Sequence, residues 1–302
     1  MIIVTGGAGF IGSNIIRELN NRGISNIVVV DNMKDESKFR NLVNCNIADY
    51  IDVTAFRETI CSKTFLYRPR AILHYGGITS NVEINGKKML DSNFTYAKEL
   101  FNWCKDQRVR FIYGSSSAVC GPGTTFSESN AQESPLNIYG YSKMLFDQYV
   151  VKNTDARSPQ VAGLRLFSVY GPGEQYNDAS PSTIYEFYEK RKAFKAIELF
   201  GEYAGVEAGQ QMRDFVHVED VARLNCWFLD HPEVSGIYNV GTGVASSFLE
   251  VATEVMKGHY QSYSCADISK LRRAGSGLRF RGIKEGIKDY LEWLEEHERV
   301  DH

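Results

Sequence analysis

Short apolar runs alternate with longer stretches of helical periodicity through the first 166 residues, and that alternation sets the expected fold. Runs at Ile2 to Thr5, Asn26 to Val30, Ala71 to His74, Arg110 to Gly114 and Val161 to Leu166 read as strands buried in a parallel sheet. Between them, Phe10 to Asn21, Ala55 to Cys61, Lys88 to Asp106 and Tyr139 to Lys152 carry apolar residues at helical spacing. The order predicts an α/β fold, a doubly wound parallel sheet with helices on both faces. After Tyr170-Gly171-Pro172-Gly173 the texture changes. Residues 173–182 are polar and turn-rich, and Glu202 to Gln211 is rich in glycine and alanine, so both read as loops over a cleft. Ile283 to Arg299 returns to helical periodicity, apolar at 283, 287, 290, 291 and 294. Residues 1–168 are expected to form the sheet domain, completed by parts of 214–242, and 169–302 mainly a smaller C-terminal lobe.

The first junction carries the strongest signal. Met1-Ile-Ile-Val-Thr-Gly-Gly-Ala-Gly-Phe-Ile-Gly12 is a strand that breaks into Gly6, Gly9 and Gly12 and becomes a helix. Positions without side chains let the backbone approach a pyrophosphate, and the helix N-terminus offers free N–H groups and partial positive charge. Phe10 and Ile11 lie on the same turn. The second strand ends at Asp31-Asn32, and Asp31 stands 19 residues beyond Gly12, where a ribose-binding carboxylate is expected in a Rossmann-type fold. A plain structural turn would use glycine too. The strand before it and the acid after it favour dinucleotide binding. Asp31 alone argues for NAD, because a carboxylate repels a 2′-phosphate; Lys38 could supply the opposing charge for NADP, or be a solvated loop lysine.

Composition narrows the classes. Of 302 residues, 43% are hydrophobic and 24% charged, ordinary for a globular protein able to bury a full core. A net charge of -3 gives no electrostatic footprint for nucleic acid or anionic membrane. No apolar stretch approaches the roughly 20 residues that span a bilayer. The N-terminus enters its strand at once, so a cytoplasmic location is expected. Six scattered cysteines without a Cys-x-x-Cys pair, and six histidines without metal-like clustering, predict free thiols and no metal site.

The chemistry concentrates in the middle. Tyr139-Gly-Tyr-Ser-Lys143 opens a helix, and residues four apart share a helix face. A free phenol has a pKa near 10, so a cation held beside it is needed to make it a base. Upstream, the fourth strand ends in Ser115-Ser116-Ser117, which places a serine hydroxyl where a substrate oxygen would alternate between alcohol and ketone. Tyr139, Lys143 and Ser116 together describe a hydride-transfer site; apart, they would be helix decoration and a turn.

These motifs identify a resemblance. Met1 to Gly12, Asp31-Asn32, Ser115 to Gly121, Tyr139 to Lys143, Val169-Tyr-Gly-Pro172 and Arg213-Asp-Phe-Val-His-Val-Glu-Asp220 resemble the extended short-chain dehydrogenase/reductase superfamily. Leu42 to Tyr50, Pro135 to Lys143 and Gly236 to Gly243 are similar, more narrowly, to the ADP-L-glycero-D-manno-heptose 6-epimerases. The likeness covers nearly the whole chain. It implies a nucleotide-sugar epimerase of carbohydrate metabolism, serving lipopolysaccharide biosynthesis, that holds NADP (or NAD) and oxidises its substrate transiently. Tyr139 would be the acid/base, Ser116 the hydroxyl anchor, and Lys143 would tune Tyr139 and grip the cofactor. Phe10 and Ile11 would lie on the pyrophosphate turn and Asn93 would line the cofactor cleft. Ser168, Asn177, Ser180, Arg213 and Tyr260 would meet the nucleotide-diphospho-sugar. For Arg213 the competing reading is a local ion pair with Asp214. The resemblance also implies a homo-oligomer.

Four positions depart from the family pattern. Asn177 stands where the family has a lysine thought to be a second acid/base, and an amide cannot exchange protons near neutral pH. Ser168 replaces an asparagine, Cys120 replaces a tyrosine, and the stretch Glu254 to Tyr260 is short. A 4,6-dehydratase would carry an Asp-Glu pair where this chain has Ser117-Ala118. A 4-epimerase acting on a different nucleotide sugar, a one-way reductase and a dinucleotide-binding relative without turnover stay open as alternatives.

Overall fold

The computed structural model describes residues 1–79, 85–122, 126–129, 133–176, 181–193, 195, 199, 201–202, 205–251 and 264–298. Ten strands are found among them: β1 (Ile2–Thr5), β2 (Ile27–Asp31), β3 (Asp49–Asp52), β4 (Ala71–His74), β5 (Arg110–Ser116), β6 (Val161–Leu166), β7 (Ser168–Tyr170), β8 (Met212–His217), β9 (Gly236–Val240) and β10 (Ala245–Ser247). Seven form one sheet in the order β3-β2-β1-β4-β5-β6-β9, every neighbouring pair parallel. The chain winds outward from β1 in both directions, so the carboxyl ends of β1 and β4 border the switch point where such sheets bind ligands.

The helices follow the apolar stripes. Those up to residue 230 are α1 (Phe10–Asn21), α2 (Val53–Cys61), α3 (Gly86–Leu90), α4 (Tyr96–Gln107), α5 (Ile138–Asn153), α6 (Thr183–Lys192) and α7 (Val218–Asp230). Ile15, Ile16 and Leu19 of α1 pack with Val221, Leu224 and Phe228 of α7 on one face of the sheet. Phe56 and Ile60 of α2, Leu100, Phe101 and Trp103 of α4, and Phe146 and Val150 of α5 cover the other. No helix among the described residues is long and apolar enough to cross a membrane.

Two elements differ from the sequence expectation. The stretch read as one helix from Lys88 is α3 and α4 joined through a π-helical turn at Asp91–Thr95. Strand β3, Asp-Tyr-Ile-Asp, escaped the pattern because it is a short edge strand with exposed side chains and no apolar run. Of the 214–242 region, only β9 joins the main sheet. β8 pairs parallel with β7 and antiparallel with β10 in a separate three-stranded sheet, packed through Tyr170 and Phe215 against Tyr290 and Leu294 of the helix Ile283–Glu298. The C-terminal amphipathic helix is thus formed, and its apolar stripe is the core of the smaller lobe.

Candidate active site

A cleft of about 470 Å³ opens over the carboxyl ends of β1, β2, β4 and β5. Gly6, Gly9, Phe10, Ile11, Gly12, Asp31, Asn32, Lys38, Ser116, Tyr139 and Lys143, separated in sequence by up to 137 residues, all line it. At its floor, Gly6 takes φ +68°, and a Cβ there would sit 2.5 Å from the Tyr75 carbonyl. A Cβ on Gly12 would overlap the Gly6 carbonyl. Helix α1 starts at Gly9 without a side-chain cap, leaving its first N–H groups free for an anion. The backbone is therefore shaped to admit linked phosphates, which is the fit that a dinucleotide requires.

The acid at the end of β2 does more than the sequence shows. One Asp31 carboxylate oxygen accepts the Ala8 N–H at 3.0 Å, bracing the glycine turn; the other accepts the Asn32 N–H at 2.8 Å. Lys38 Nζ lies 3.5 Å from that second oxygen and 3.3 Å from the Asn32 side-chain oxygen. Lys38 is buried, with 9% of its surface exposed, so the solvated-lysine reading does not hold. The Asp31 charge that would repel a 2′-phosphate is met by a lysine within the same wall.

Across the cleft, the acid/base side chains sit on β5 and α5. Asn137 caps α5 by accepting the Gly140 N–H, and Gly140 packs against the Ala118 carbonyl, which fixes Tyr139 over the end of β5. Burial pushes the Tyr139 phenol up, while the Ser116 hydroxyl hydrogen-bonded to it pulls the other way. The expected lowering by Lys143 is not what the geometry gives: Lys143 Nζ donates to the Gly114 carbonyl at 2.8 Å. Burial pushes Lys143 itself down to about 8, against the pull of Asp147. Ammonium and phenol thus share a cleft wall while the lysine is anchored to the strand.

Asn93 is corrected. Its side chain does not form the wall; it accepts the Ile78 N–H at 2.8 Å and donates to the Ile78 carbonyl, to Met89 Sδ and to the Ser142 hydroxyl. It locks the loop after β4 and the start of α5 together, and Gly76, Gly77, Ile78 and Thr79 of that loop line the cleft in its place. Ser168, half-buried on β7, stands between Phe167 and Val169, which are wall residues. Arg213 lies on β8 two residues before Phe215, the register partner of Ser168. Its guanidinium stacks over Phe248 at 5.5 Å and donates to the Met212 carbonyl. It is not part of the dinucleotide cleft wall. Asp214, offered as its ion-pair partner, accepts the N–H groups of Thr242, Gly243 and Ala266 and the Thr242 hydroxyl. Asn177, Ser180 and Tyr260 lie outside the described residues.

Sequence reasoning missed several wall and support residues. Tyr75, Val53, Ser92 and Tyr96 line the cleft. Thr5 Oγ and His74 Nδ1, 2.6 Å apart, tie β1 to β4 at the switch point, and burial pushes His74 down to about 3, so it stays neutral. Asn14 donates to the Pro172 carbonyl and Asn41 to those of Ala8 and Gly173, joining the glycine turn to the Tyr-Gly-Pro-Gly loop. Glu174, pushed up to about 7 by burial, accepts the N–H groups of Gly171 and Ser182 and ties these two residues together. A lone polar residue in an apolar stretch was the available signal for Asn14 and His74.

Comparison with known proteins adds to this geometry. The family model described as "NAD dependent epimerase/dehydratase family" matches residues 2–241. An ADP-L-glycero-D-manno-heptose-6-epimerase of Alkalilimnicola ehrlichii is 45% identical over 97% of this chain and 97% of its own. The crystal structure of the Helicobacter pylori ADP-L-glycero-D-manno-heptose-6-epimerase superposes with a TM-score of 0.84 at 27% identity, covering 97% of this chain and 96% of that one. MoeE5, in complex with UDP-glucose and NAD, superposes with a TM-score of 0.80 at 25% identity, covering 98% and 99%.

Proposed function

Because this chain belongs to the NAD dependent epimerase/dehydratase family, we propose that it is a nucleotide-sugar epimerase that inverts C6 of ADP-glycero-manno-heptose. Near-complete coverage of a 45%-identical relative of that name supports the substrate. The single observation that carries the reaction type is the meeting of Ser116, Tyr139 and Lys143 at one wall of a cleft whose opposite wall is the glycine turn.

The dinucleotide would rest its pyrophosphate on the α1 N-terminus and the turn from Gly6 to Gly12, its ribose beside Asp31 and Asn32, and its nicotinamide end toward Lys143. When bound there, it supplies a hydride acceptor that takes hydrogen from a carbinol carbon and returns it to the other face. We assign NADP rather than NAD on the buried Lys38, which faces Asp31 at 3.5 Å and can meet a 2′-phosphate with a charge-assisted hydrogen bond.

The chain's own groups handle the proton. Ser116 donates to the reacting oxygen and holds it at Tyr139. As a phenolate, Tyr139 takes the hydroxyl proton while the carbinol is oxidised; as the resulting phenol, the form that burial favours, it returns that proton to the oxygen when the ketone is reduced. The Ser116 hydroxyl, hydrogen-bonded to Tyr139, is the group that favours its phenolate, and Lys143, anchored to the Gly114 carbonyl, would grip the cofactor. Arg213, on β8 beside Ser246 of β10, would bind the substrate diphosphate where a nucleotide sugar extends beyond the cleft. The division into a dinucleotide-binding part, 1–168 with β9, and a substrate-binding lobe over most of 169–302 follows from the same assignment.

The test is direct. Purified protein incubated with ADP-L-glycero-D-manno-heptose or its C6 epimer should give the same mixture of both, resolved by NMR. Inversion of a UDP-hexose at C4 with ADP-heptose untouched would instead favour the 4-epimerase reading. Cofactor absorbance without any product would leave only binding.

A further inference from the structure

The reactive groups stand on two different elements, Ser116 on β5 and Tyr139 and Lys143 on α5, so something must hold the register between strand and helix. One turn beyond Lys143 lies Asp147, 1% exposed. Its carboxylate accepts hydrogen bonds from the Tyr113 and Ser115 hydroxyls of β5, each at 2.9 Å, and from Arg165 Nε of β6 at 2.8 Å. Arg165, wholly buried in an otherwise apolar strand, extends Nη2 to Glu133 on the segment that leads into α5, and Gln148 of α5 donates to the other Glu133 oxygen at 2.7 Å. Asp147 and Glu133 outweigh the cost of burial and keep the guanidinium charged.

We propose that the buried Asp147–Arg165–Glu133 chain is a positioning device for the acid/base pair, with Asp147 as its central residue: it fixes α5 against β5 so that Tyr139 meets Ser116 and Lys143 meets the Gly114 carbonyl. The inference rests on the catalytic reading of Tyr139 and Lys143 given above. Three features carry it. Every atom of the Asp147 carboxylate points to a neighbouring strand, not to solvent. Two of its donors, on residues 113 and 115, flank Gly114, whose carbonyl anchors Lys143. A buried ion pair is a poor source of stability, since apolar residues of similar volume serve as well, so its geometry is the property worth keeping. Among the described residues, the titratable groups that face Lys143 are Asp147 of its own helix and neutral His74 of β4; the groups that face Asp147 are Tyr113, Ser115 and Arg165.

The experiment compares Asp147→Asn, Tyr113→Phe and Tyr139→Phe in the cofactor-loaded enzyme, with ADP-heptose as substrate. In Asp147→Asn, kcat should fall about 10- to 100-fold with KM changed little, as a small misplacement of reacting groups predicts. The alkaline limb of the kcat profile should also move down by about one pH unit, because Lys143 loses the anion that favours its charge. Asp147→Glu should restore part of kcat. Folded Asp147→Asn with the parent kcat and pH profile would overturn the proposal. Should that variant not fold, Tyr113→Phe decides, since it removes one link to β5 and leaves the ion pair whole: lowered kcat at unchanged KM supports positioning, and parent kcat overturns it. Turnover surviving in Tyr139→Phe would sink the catalytic reading itself, whereas its loss beside a parent-like Asp147→Asn would sink only the positioning role.

Discussion

The two walls of the cleft are built from opposite materials. The wall at β1 and α1 is backbone: glycines at 6, 9 and 12, an uncapped helix end, and one carboxylate, Asp31, turned inward to hold the Ala8 N–H. The wall at β5 and α5 is made of side chains, with Ser116, Tyr139 and Lys143 in front and the hydrogen-bonded chain of Asp147, Arg165 and Glu133 buried behind. A backbone wall can bind a ligand common to many reactions but cannot move a proton. A side-chain wall can move a proton, but only if its groups are held to a fraction of an ångström. The first tolerates little change in volume, and the second little change in charge.

That contrast can be broken by substitution. Tyr139→Phe removes the proton carrier without touching the glycine turn, so turnover should fall about 10²- to 10⁴-fold while the dinucleotide still co-purifies; absorbance of the bound cofactor and an epimer assay check both halves. Asp147→Ala leaves Arg165 and the Tyr113 hydroxyl short of a buried partner and should cost about 3–5 kcal/mol of stability, read from denaturant midpoints. Gly12→Ala forces a methyl group onto the Gly6 carbonyl. It should cost about 1–3 kcal/mol by overpacking and also release the cofactor, which separates it from every α5 variant. Lys143, held near 8, is charged below that pH and loses its charge above it. The kcat/KM of the parent enzyme should therefore decline on the alkaline side from about pH 8. The smallest effect belongs to Lys38→Ala, which should shift the NADP-over-NAD preference about tenfold, or about 1.4 kcal/mol, in titrations of stripped protein.

The same contrast explains what the sequence disclosed. The backbone wall was legible because its requirement is local: only glycine suits the Gly6 turn, and spacing along twelve residues records it. Tyr139 and Lys143 were legible because one helix turn joins them. The supports were not. Asp147, Arg165, Glu133 and Tyr113 come from four separate segments, and no spacing rule connects them; only the charged Arg165 within an apolar strand hinted at a buried partner. Asn93 stands behind the wall, and its hydrogen bonds to the loop at Ile78 have no signal in spacing. The smaller lobe was least legible, because β7 and β10 have only three residues each and pair with β8 across distant parts of the chain. The three-stranded sheet holds β8 apart from the main sheet, to which only β9 of the 214–242 region is paired.

The central claim is that the stereocentre is inverted by hydrogen leaving and returning to the same carbon, with Tyr139 and Ser116 handling only the oxygen. It is tested most directly with ADP-heptose carrying deuterium at C6, incubated with the parent enzyme in ordinary water. The account predicts that the C6 epimer forms with its deuterium retained, read by NMR and mass spectrometry. Replacement of that deuterium by solvent hydrogen in the inverted product would contradict it.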